Sequence, residues 1–432
     1  MDIGWLIGRS KVEFHHKATT SFKTNSGKTI SLSDLCKSIT PPCYLNPLLF
    51  NGHLQTFWTA VKSQDIPIHY RRKIFEAEDP AFKGTFAVDF VSQIASSETD
   101  TSLPPRTTYF SDADFENIGS DDDRPMLVTL HGLSGGSYEI YLRHVLAPLV
   151  GSGENGGWEA CVVNSRGCAM SEITSNVLYN ARATWDIRQT VKWLRRKFPN
   201  RKLFGIGYSL GANILTNYLG EEGDQCLLAA AVVVSNPWDL EISSKALQRT
   251  WLGMNVYMKV MGTNMKALAE RHVDHLARNT RIDMDRVRKC KYLYEFDREV
   301  QGPTWGYPTE NAYYRDAQSS DAVLAVKIPL FGIHARDDPI AVDEAIPYNE
   351  IKVNPNVVLC TTNLGGHLSW FQTNGERWFA KPAVNFLNKM AREVDPTSGS
   401  KNEPDGWAEG FKRGLAPPFT YMPTRRKLHI IE

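Results

Sequence analysis

Between residues 125 and 394 the chain repeats one pattern, short apolar runs separated by helix-length amphipathic stretches, and this rhythm limits the possible folds more than any other feature. The runs are Pro125–Leu130 (PMLVTL), Trp158–Asn164 (WEACVVN), Arg201–Ile206, Leu227–Val234 (LLAAAVVV), Val326–Ile333 and Val357–Cys360. The helical patterns are Tyr138–Leu149, Ala181–Phe198, Ala212–Tyr218 and Pro382–Val394. A run that is apolar on both sides has to be covered on both sides, and a helix between successive runs lets the strands lie parallel. The expected fold class is α/β: a mostly parallel central sheet flanked by helices.

Around this core the pattern changes. Residues 1–80 read as an N-terminal extension, with three prolines among residues 41–47 that remove backbone donors a helix would need. Gly84–Gln93 alternates like a strand and opens the first part of the core, 81–239; the polar stretch Ala95–Asp123 reads as a surface loop. From 240 to 322 no convincing apolar run occurs, and helix formers and aromatics predominate, so this segment is expected to be a helical cap inserted over one end of the sheet. The core resumes over 323–395, and 396–432 reads as a polar surface tail.

Composition narrows the function classes. With 49 Lys+Arg against 48 Asp+Glu the net charge is +1, which excludes a strongly basic nucleic-acid footprint. Seven cysteines, none in a C-x-x-C, read as reduced thiols. Neither phosphate-loop nor zinc or calcium spacing occurs, so no cofactor and no metal is expected. No run reaches the ~20 apolar residues of a membrane span. Met1–Arg9 lacks the basic and apolar regions of a secretion signal. The expected location is cytoplasmic, with peripheral contact to a membrane or lipid droplet left open.

The chemistry is concentrated in Gly207-Tyr208-Ser209-Leu210-Gly211. A G-x-S-x-G occurs by chance in roughly 0.1–0.2 of chains this long; its setting, after the strand LFGI and before the helix ANILTNYL, gives it weight. A sharp strand–turn–helix needs small residues at 207 and 211 and presents Ser209 as a nucleophile at the carboxyl edge of the sheet. A serine hydroxyl needs a base. In this architecture the acid and then the histidine follow the late strands. His367, in Gly365-Gly366-His367, is the expected base. Asp338, beside Pro339, is the preferred acid, with its neighbour Asp337 as the alternative. The oxyanion of an acyl-transfer transition state needs preorganised amides. The expected donors are the N–H of Leu210 and, in the turn His131-Gly132-Leu133-Ser134-Gly135-Gly136, that of Leu133. His272 and His275 lie in a charged helical stretch and read as solvated.

Further motifs tie these residues to a family. They are Asn51-Gly52-His53-Leu54-Gln55-Thr56 after Asn46-Pro47, then His131-Gly132-Leu133, Asn164-Ser165-Arg166-Gly167-Cys168, the serine turn, Ala312-Tyr313-Tyr314-Arg315-Asp316, Asp337-Asp338-Pro339 and Gly366-His367. Together they span roughly residues 40–392. With them the chain resembles the α/β hydrolases, and more narrowly the YheT-like family, which includes fungal medium-chain fatty acid ethyl ester synthase/esterases, a monoacylglycerol lipase and animal abhydrolase-domain lipases. The resemblance implies the α/β-hydrolase fold and places the family's triad on Ser209, Asp338 and His367. It also implies a serine esterase acting through an acyl-enzyme on acyl esters, with water or an alcohol as acceptor. The apolar cap residues Trp251, Met254, Tyr257, Met258 and Met261 suggest a medium- or long-chain acyl group. The alternatives are a dedicated acyltransferase on the same residues and a non-catalytic binding scaffold.

Overall fold

The apolar runs form the middle of a ten-stranded sheet. In chain order its strands are β1 (Val12–His15), β2 (His69–Glu76), β3 (Thr85–Ser92), β4 (Thr107–Tyr109), β5 (Met126–Leu130), β6 (Glu159–Val163), β7 (Leu203–Tyr208), β8 (Leu228–Val234), β9 (Leu330–Ala335) and β10 (Val357–Thr362). They lie in the spatial order β1-β10-β9-β8-β7-β5-β6-β3-β2-β4. The six strands from β10 to β6 are all parallel, whereas β3 joins β6, β2 joins β3, and β1 joins β10 antiparallel. The structure is a computed structural model and describes residues 8–62, 64–93, 100–400 and 421–428.

Strand β8 shows why the runs are apolar throughout. Ala230, Val232 and Val234 enter the core on one face, and Ala231 and Val233 the core on the other. Helix α1 (Gly52–Val61) rests on the loop that follows β10, while helices cover both sides: α2 (Ile140–Val150), α3 (Thr184–Lys197), α4 (Leu210–Glu222) and, at the end of the core, the helix Ala380–Arg392. In α3 the apolar residues Ile187, Val191 and Leu194 recur at helical spacing and are buried.

Residues 240–322 contain helices and no strand. They include α5 (Leu240–Arg249), α6 (Lys259–Arg271) and α7 (Glu310–Ala317), together with two π-helical turns, Gly253–Met258 and Asp297–Gln301. Met265, Leu268, Phe296 and Val300 make a separate core here, shared with Ile173, Tyr179 and Trp185 of the main body.

Several details differ from the sequence expectation. The segment expected as an N-terminal extension supplies β1 and β2 to the sheet and the helix α1. Period-two alternation in HYRRKIFE is masked by its charges, because its polar side chains pair with neighbours: Arg72 makes a buried bidentate pair with Asp89. The expected surface loop 95–123 contains β4. His272 is not solvated; it is buried with Nε2 3.1 Å from the carbonyl of Gly167. The start of the expected tail forms a strand, Val394–Ser400, on Ser21–Thr24, and Arg426 pairs with Glu221 at 2.9 Å. Residues 401–420 and 429–432 of that tail, and 1–7 of the Met1–Arg9 segment, lie outside the described residues. All seven cysteines are free; Cys226 is half-buried and the others are buried.

Candidate active site

Ser209 sits where β7 turns into α4, with φ 51° and ψ −120°. The turn is held from below by the Ser209 N–H, which donates to the carbonyl of Val234 at 3.0 Å. The two glycines are required by contact, not by positive φ. A Cβ on Gly207 would come within 2.5 Å of the carbonyl oxygen of Gly211, and one on Gly211 within 2.5 Å of the carbonyl oxygens of Leu130 and His131. Gly211 thus lets the start of α4 rest against the end of β5, which brings the following loop, 131–136, beside Ser209. Of the eight non-glycine residues with positive φ among the described residues, Ser134, Ser209, Ser235, Leu368 and Trp370 belong to loops of this site. Such concentration of strain is typical of functional loops.

His367 and Asp338 meet the serine from two other loops. His367 Nε2 lies 2.9 Å from Ser209 Oγ, and His367 Nδ1 lies 2.8 Å from Asp338 Oδ2. A carboxylate only accepts, so Nδ1 carries the ring proton and Nε2 faces the hydroxyl as an acceptor. The Asp338 side chain is fully buried. Burial pushes its carboxyl up, but the charge and hydrogen bond of His367, with His334 and the Ile340 N–H, bring it below its ordinary value. Its Oδ1 accepts from the N–H groups of Ile340 and Ala341 at 2.8 and 2.9 Å. Asp337 turns the other way. Its Oδ1 accepts the Gly366 N–H at 3.0 Å, its Oδ2 is buried without a partner, and burial pushes its carboxyl up to about 6.

Two tyrosines fix the 131–136 loop. The Gly132 N–H donates to Tyr141 Oη at 2.9 Å and the Ser134 N–H to Tyr179 Oη at 3.1 Å. The Leu133 N–H between them, and the Leu210 N–H at the first turn of α4, donate to no acceptor among the described residues. His131 braces the loop. Burial pushes its imidazole down to about 4, so it is neutral; Nδ1–H donates to the Gly132 carbonyl, and Nε2 accepts the Ser165 N–H.

The motif around α1 buttresses the histidine loop. Thr56 Oγ1 accepts the His367 N–H at 2.9 Å, and Gln55 Oε1 accepts the Phe371 N–H at 2.8 Å. A Cβ on Gly52 would come within 1.8 Å of the Asp337 carbonyl oxygen. The sequence marks the N-G-H-L-Q-T string only as a family motif; its contacts with the distant Asp337, His367 and Phe371 are not readable locally. Leu133, Ser209 and Leu210 open into a cleft of about 100 Å³ whose apolar wall includes Leu247, Met258, Met261 and Met265. Of the cap residues expected to line an acyl groove, Met258 and Met261 line this cleft; Trp251, Met254 and Tyr257 are not among its lining, Trp251 being 73% exposed and Tyr257 Oη lying 2.8 Å from His53 Nδ1.

A serine hydroxyl, an imidazole and a buried carboxylate in one hydrogen-bonded chain, beside two unused amides, one in the 131–136 loop and one at a helix N-terminus, can carry out acyl transfer. The sequence profile of the alpha/beta hydrolase fold matches residues 125–373. A monoacylglycerol lipase of Saccharomyces cerevisiae is 36% identical over 87% of this chain and 88% of its own. A medium-chain fatty acid ethyl ester synthase/esterase of the same yeast is 30% identical over 80% and 85%. A human phospholipase, ABHD3, is 28% identical over 79% and 76%.

Proposed function

Since the chain belongs to the α/β hydrolase fold family, we propose that it is a serine carboxylic-ester hydrolase working through an acyl-enzyme, with Ser209, His367 and Asp338 as its triad. The observation that carries this reading is the continuous hydrogen-bonded path from Ser209 Oγ through both ring nitrogens of His367 to Asp338. Ser209 Oγ attacks the ester carbonyl while His367 Nε2 takes its proton. The carbonyl oxygen becomes an oxyanion that the N–H groups of Leu133 and Leu210 receive. Collapse breaks the bond to the alcohol oxygen, which leaves with the proton from His367. Water, deprotonated by the same imidazole, then attacks the acyl-serine and releases the acid. Asp338 holds the tautomer and stabilises the imidazolium throughout.

The apolar wall of the cleft suits a medium- or long-chain acyl group. A second acceptor is an alcohol in place of water, which converts the same acyl-enzyme into a new ester; the yeast relative described as a synthase/esterase favours this outcome. Contact with a membrane or lipid droplet is supported by the exposed apolar side chains Leu48, Phe50 and Phe57 at α1 and Trp251 and Val260 at the cap. Among the described residues no helix is long and apolar enough to cross a membrane.

The test is activity-based. A fluorophosphonate should label the wild-type protein and not the Ser209→Ala variant, and p-nitrophenyl ester turnover should vanish with the label. Equal labelling of both proteins refutes the assignment. Product analysis with and without added ethanol measures the partition between acid and ester.

A further inference from the structure

One wall of the cleft beside Ser209 is polar, and the proposed mechanism makes no use of it. Asp297 and Ser243 both line this wall. Asp297 is 6% exposed, and one of its carboxyl oxygens accepts from Tyr314 Oη at 2.7 Å. Its other oxygen has no partner, and no cation pairs with it, among the described residues. Ser243 is 5% exposed, and its hydroxyl is buried without any hydrogen-bond partner. Gln301 lies on the same wall but is committed at both ends: its amide donates to the Tyr179 carbonyl at 2.9 Å and its oxygen accepts from Trp305 Nε1 at 3.0 Å.

An unpaired hydroxyl and a half-satisfied carboxyl cost free energy when buried, and neither belongs in a cavity that takes only hydrocarbon. The backbone here is also unusual. Asp297 begins one of the two π-helical turns of the cap, and Met258 at the end of the other faces the same cleft. Single π turns inside α-helices are rare and mark functional positions. The tyrosine that orients Asp297 comes from Ala312-Tyr313-Tyr314-Arg315-Asp316, a sequence motif that the triad leaves unexplained.

We infer that Asp297 and Ser243 form a subsite for an aliphatic hydroxyl group of the ester substrate, which donates to the free carboxyl oxygen of Asp297 and exchanges a hydrogen bond with Ser243 Oγ. This inference rests on the reading of Ser209 as the nucleophile and adds a substrate feature to it. A hydroxyl fits better than a cation. One acceptor and one hydroxyl make a hydrogen-bonding pair, and the wall offers no second acidic group to balance a charge. Burial pushes the Asp297 carboxyl up to about 7, so it is not a firmly ionised counter-charge at neutral pH. The hydroxyl has two sources: the alcohol half of a polyol ester, or a hydroxylated acyl chain.

Two substrate pairs separate the sources. One compares kcat/KM for monooctanoylglycerol with that for propyl octanoate; the other compares the methyl ester of ω-hydroxyoctanoic acid with methyl octanoate. One of the two ratios should exceed unity by about tenfold or more. The same ratio should fall by about tenfold in both Asp297→Asn and Ser243→Ala. A purely structural role for these residues would lower both members of a pair alike and leave the ratio unchanged. Ser243→Ala removes one oxygen and keeps the test open should Asp297→Asn fail to fold.

Binding of non-hydrolysable ethers to the Ser209→Ala protein repeats the comparison without chemistry. Octylglycerol ether and ω-hydroxyoctyl methyl ether are each measured by calorimetry against the matching ether without hydroxyls. An unlabelled Ser209 with discriminating ether binding would sink the hydrolase reading and keep the subsite. Ratios near one in both pairs, equal ether binding, or a preference for an acylcholine over both hydroxylated esters would overturn the subsite.

Discussion

Replacing Asp338 by Asn is the most demanding test of the site, because the neighbouring contacts dictate what the amide must do. Oδ1 of Asp338 accepts two backbone N–H groups, from Ile340 and Ala341, so the oxygen of an introduced amide has to take that position. Its NH2 then falls where Oδ2 now lies, 2.8 Å from His367 Nδ1. The retained oxygen lies 3.1 Å from Nδ1 and already accepts two amides, whereas the NH2 takes the shorter contact; an NH2 is a donor, so Nδ1 becomes the acceptor and the ring proton moves to Nε2. Nε2–H, 2.9 Å from Ser209 Oγ, can no longer take the serine proton. The shape is kept and the tautomer is wrong, a change that costs roughly ten-thousandfold in kcat in a triad, or about 5 kcal/mol of barrier.

Asp337→Asn is the control. That carboxyl accepts one N–H from Gly366 and has an unpartnered oxygen, so an amide serves it as well, and kcat should fall less than about tenfold. The assay is steady-state hydrolysis of a p-nitrophenyl ester, with circular dichroism to show that both variants are folded. An Asp338→Asn protein that keeps a tenth of wild-type kcat, or an Asp337→Asn protein that loses more than it, would refute the reasoning.

Three further outcomes follow from the packing. Gly211→Ala puts a methyl 2.5 Å from the carbonyl oxygens of Leu130 and His131; it should lower unfolding free energy by about 1–3 kcal/mol and depress activity, read from thermal denaturation alongside turnover. Tyr141→Phe removes the acceptor of the Gly132 N–H and loosens the loop that presents Leu133; kcat should fall about tenfold with KM little changed, because an oxyanion contact exists only in the transition state. Burial holds the Asp297 carboxyl near 7 against an ordinary 3.8, so the folded chain keeps a proton there that the unfolded chain releases. The stability from this group is present below about pH 4 and lost as pH rises to about 7, and Asp297→Asn should remove a slope worth up to about 4 kcal/mol over that range. Urea unfolding of both proteins at several pH values measures the difference, and parallel curves would count against the raised carboxyl.

What the sequence determined by itself is what short-range physics controls. A run apolar on both faces, such as Leu228–Val234, reads as a covered strand, and a Gly-x-Ser-x-Gly between such a strand and a helix reads as a tight turn that presents the serine at the sheet edge. The order of the loops carrying Ser209, Asp338 and His367 was legible for the same reason, since each follows a strand. The strands β1 and β2 were not, because charged residues interrupt their apolar alternation and partners such as Asp89 for Arg72 and Asp114 for Arg71 lie elsewhere in the chain. Only the tertiary structure shows that Asp338, not Asp337, faces the imidazole. Adjacent side chains on a turn diverge, and which one meets an imidazole 29 positions away depends on where Gly366 and the amides of Ile340 and Ala341 lie. The buttress of Gln55 and Thr56 and the polar wall of Asp297 and Ser243 have the same origin: each is defined by neighbours distant in the chain, and a local sequence carries no record of what will be packed against it.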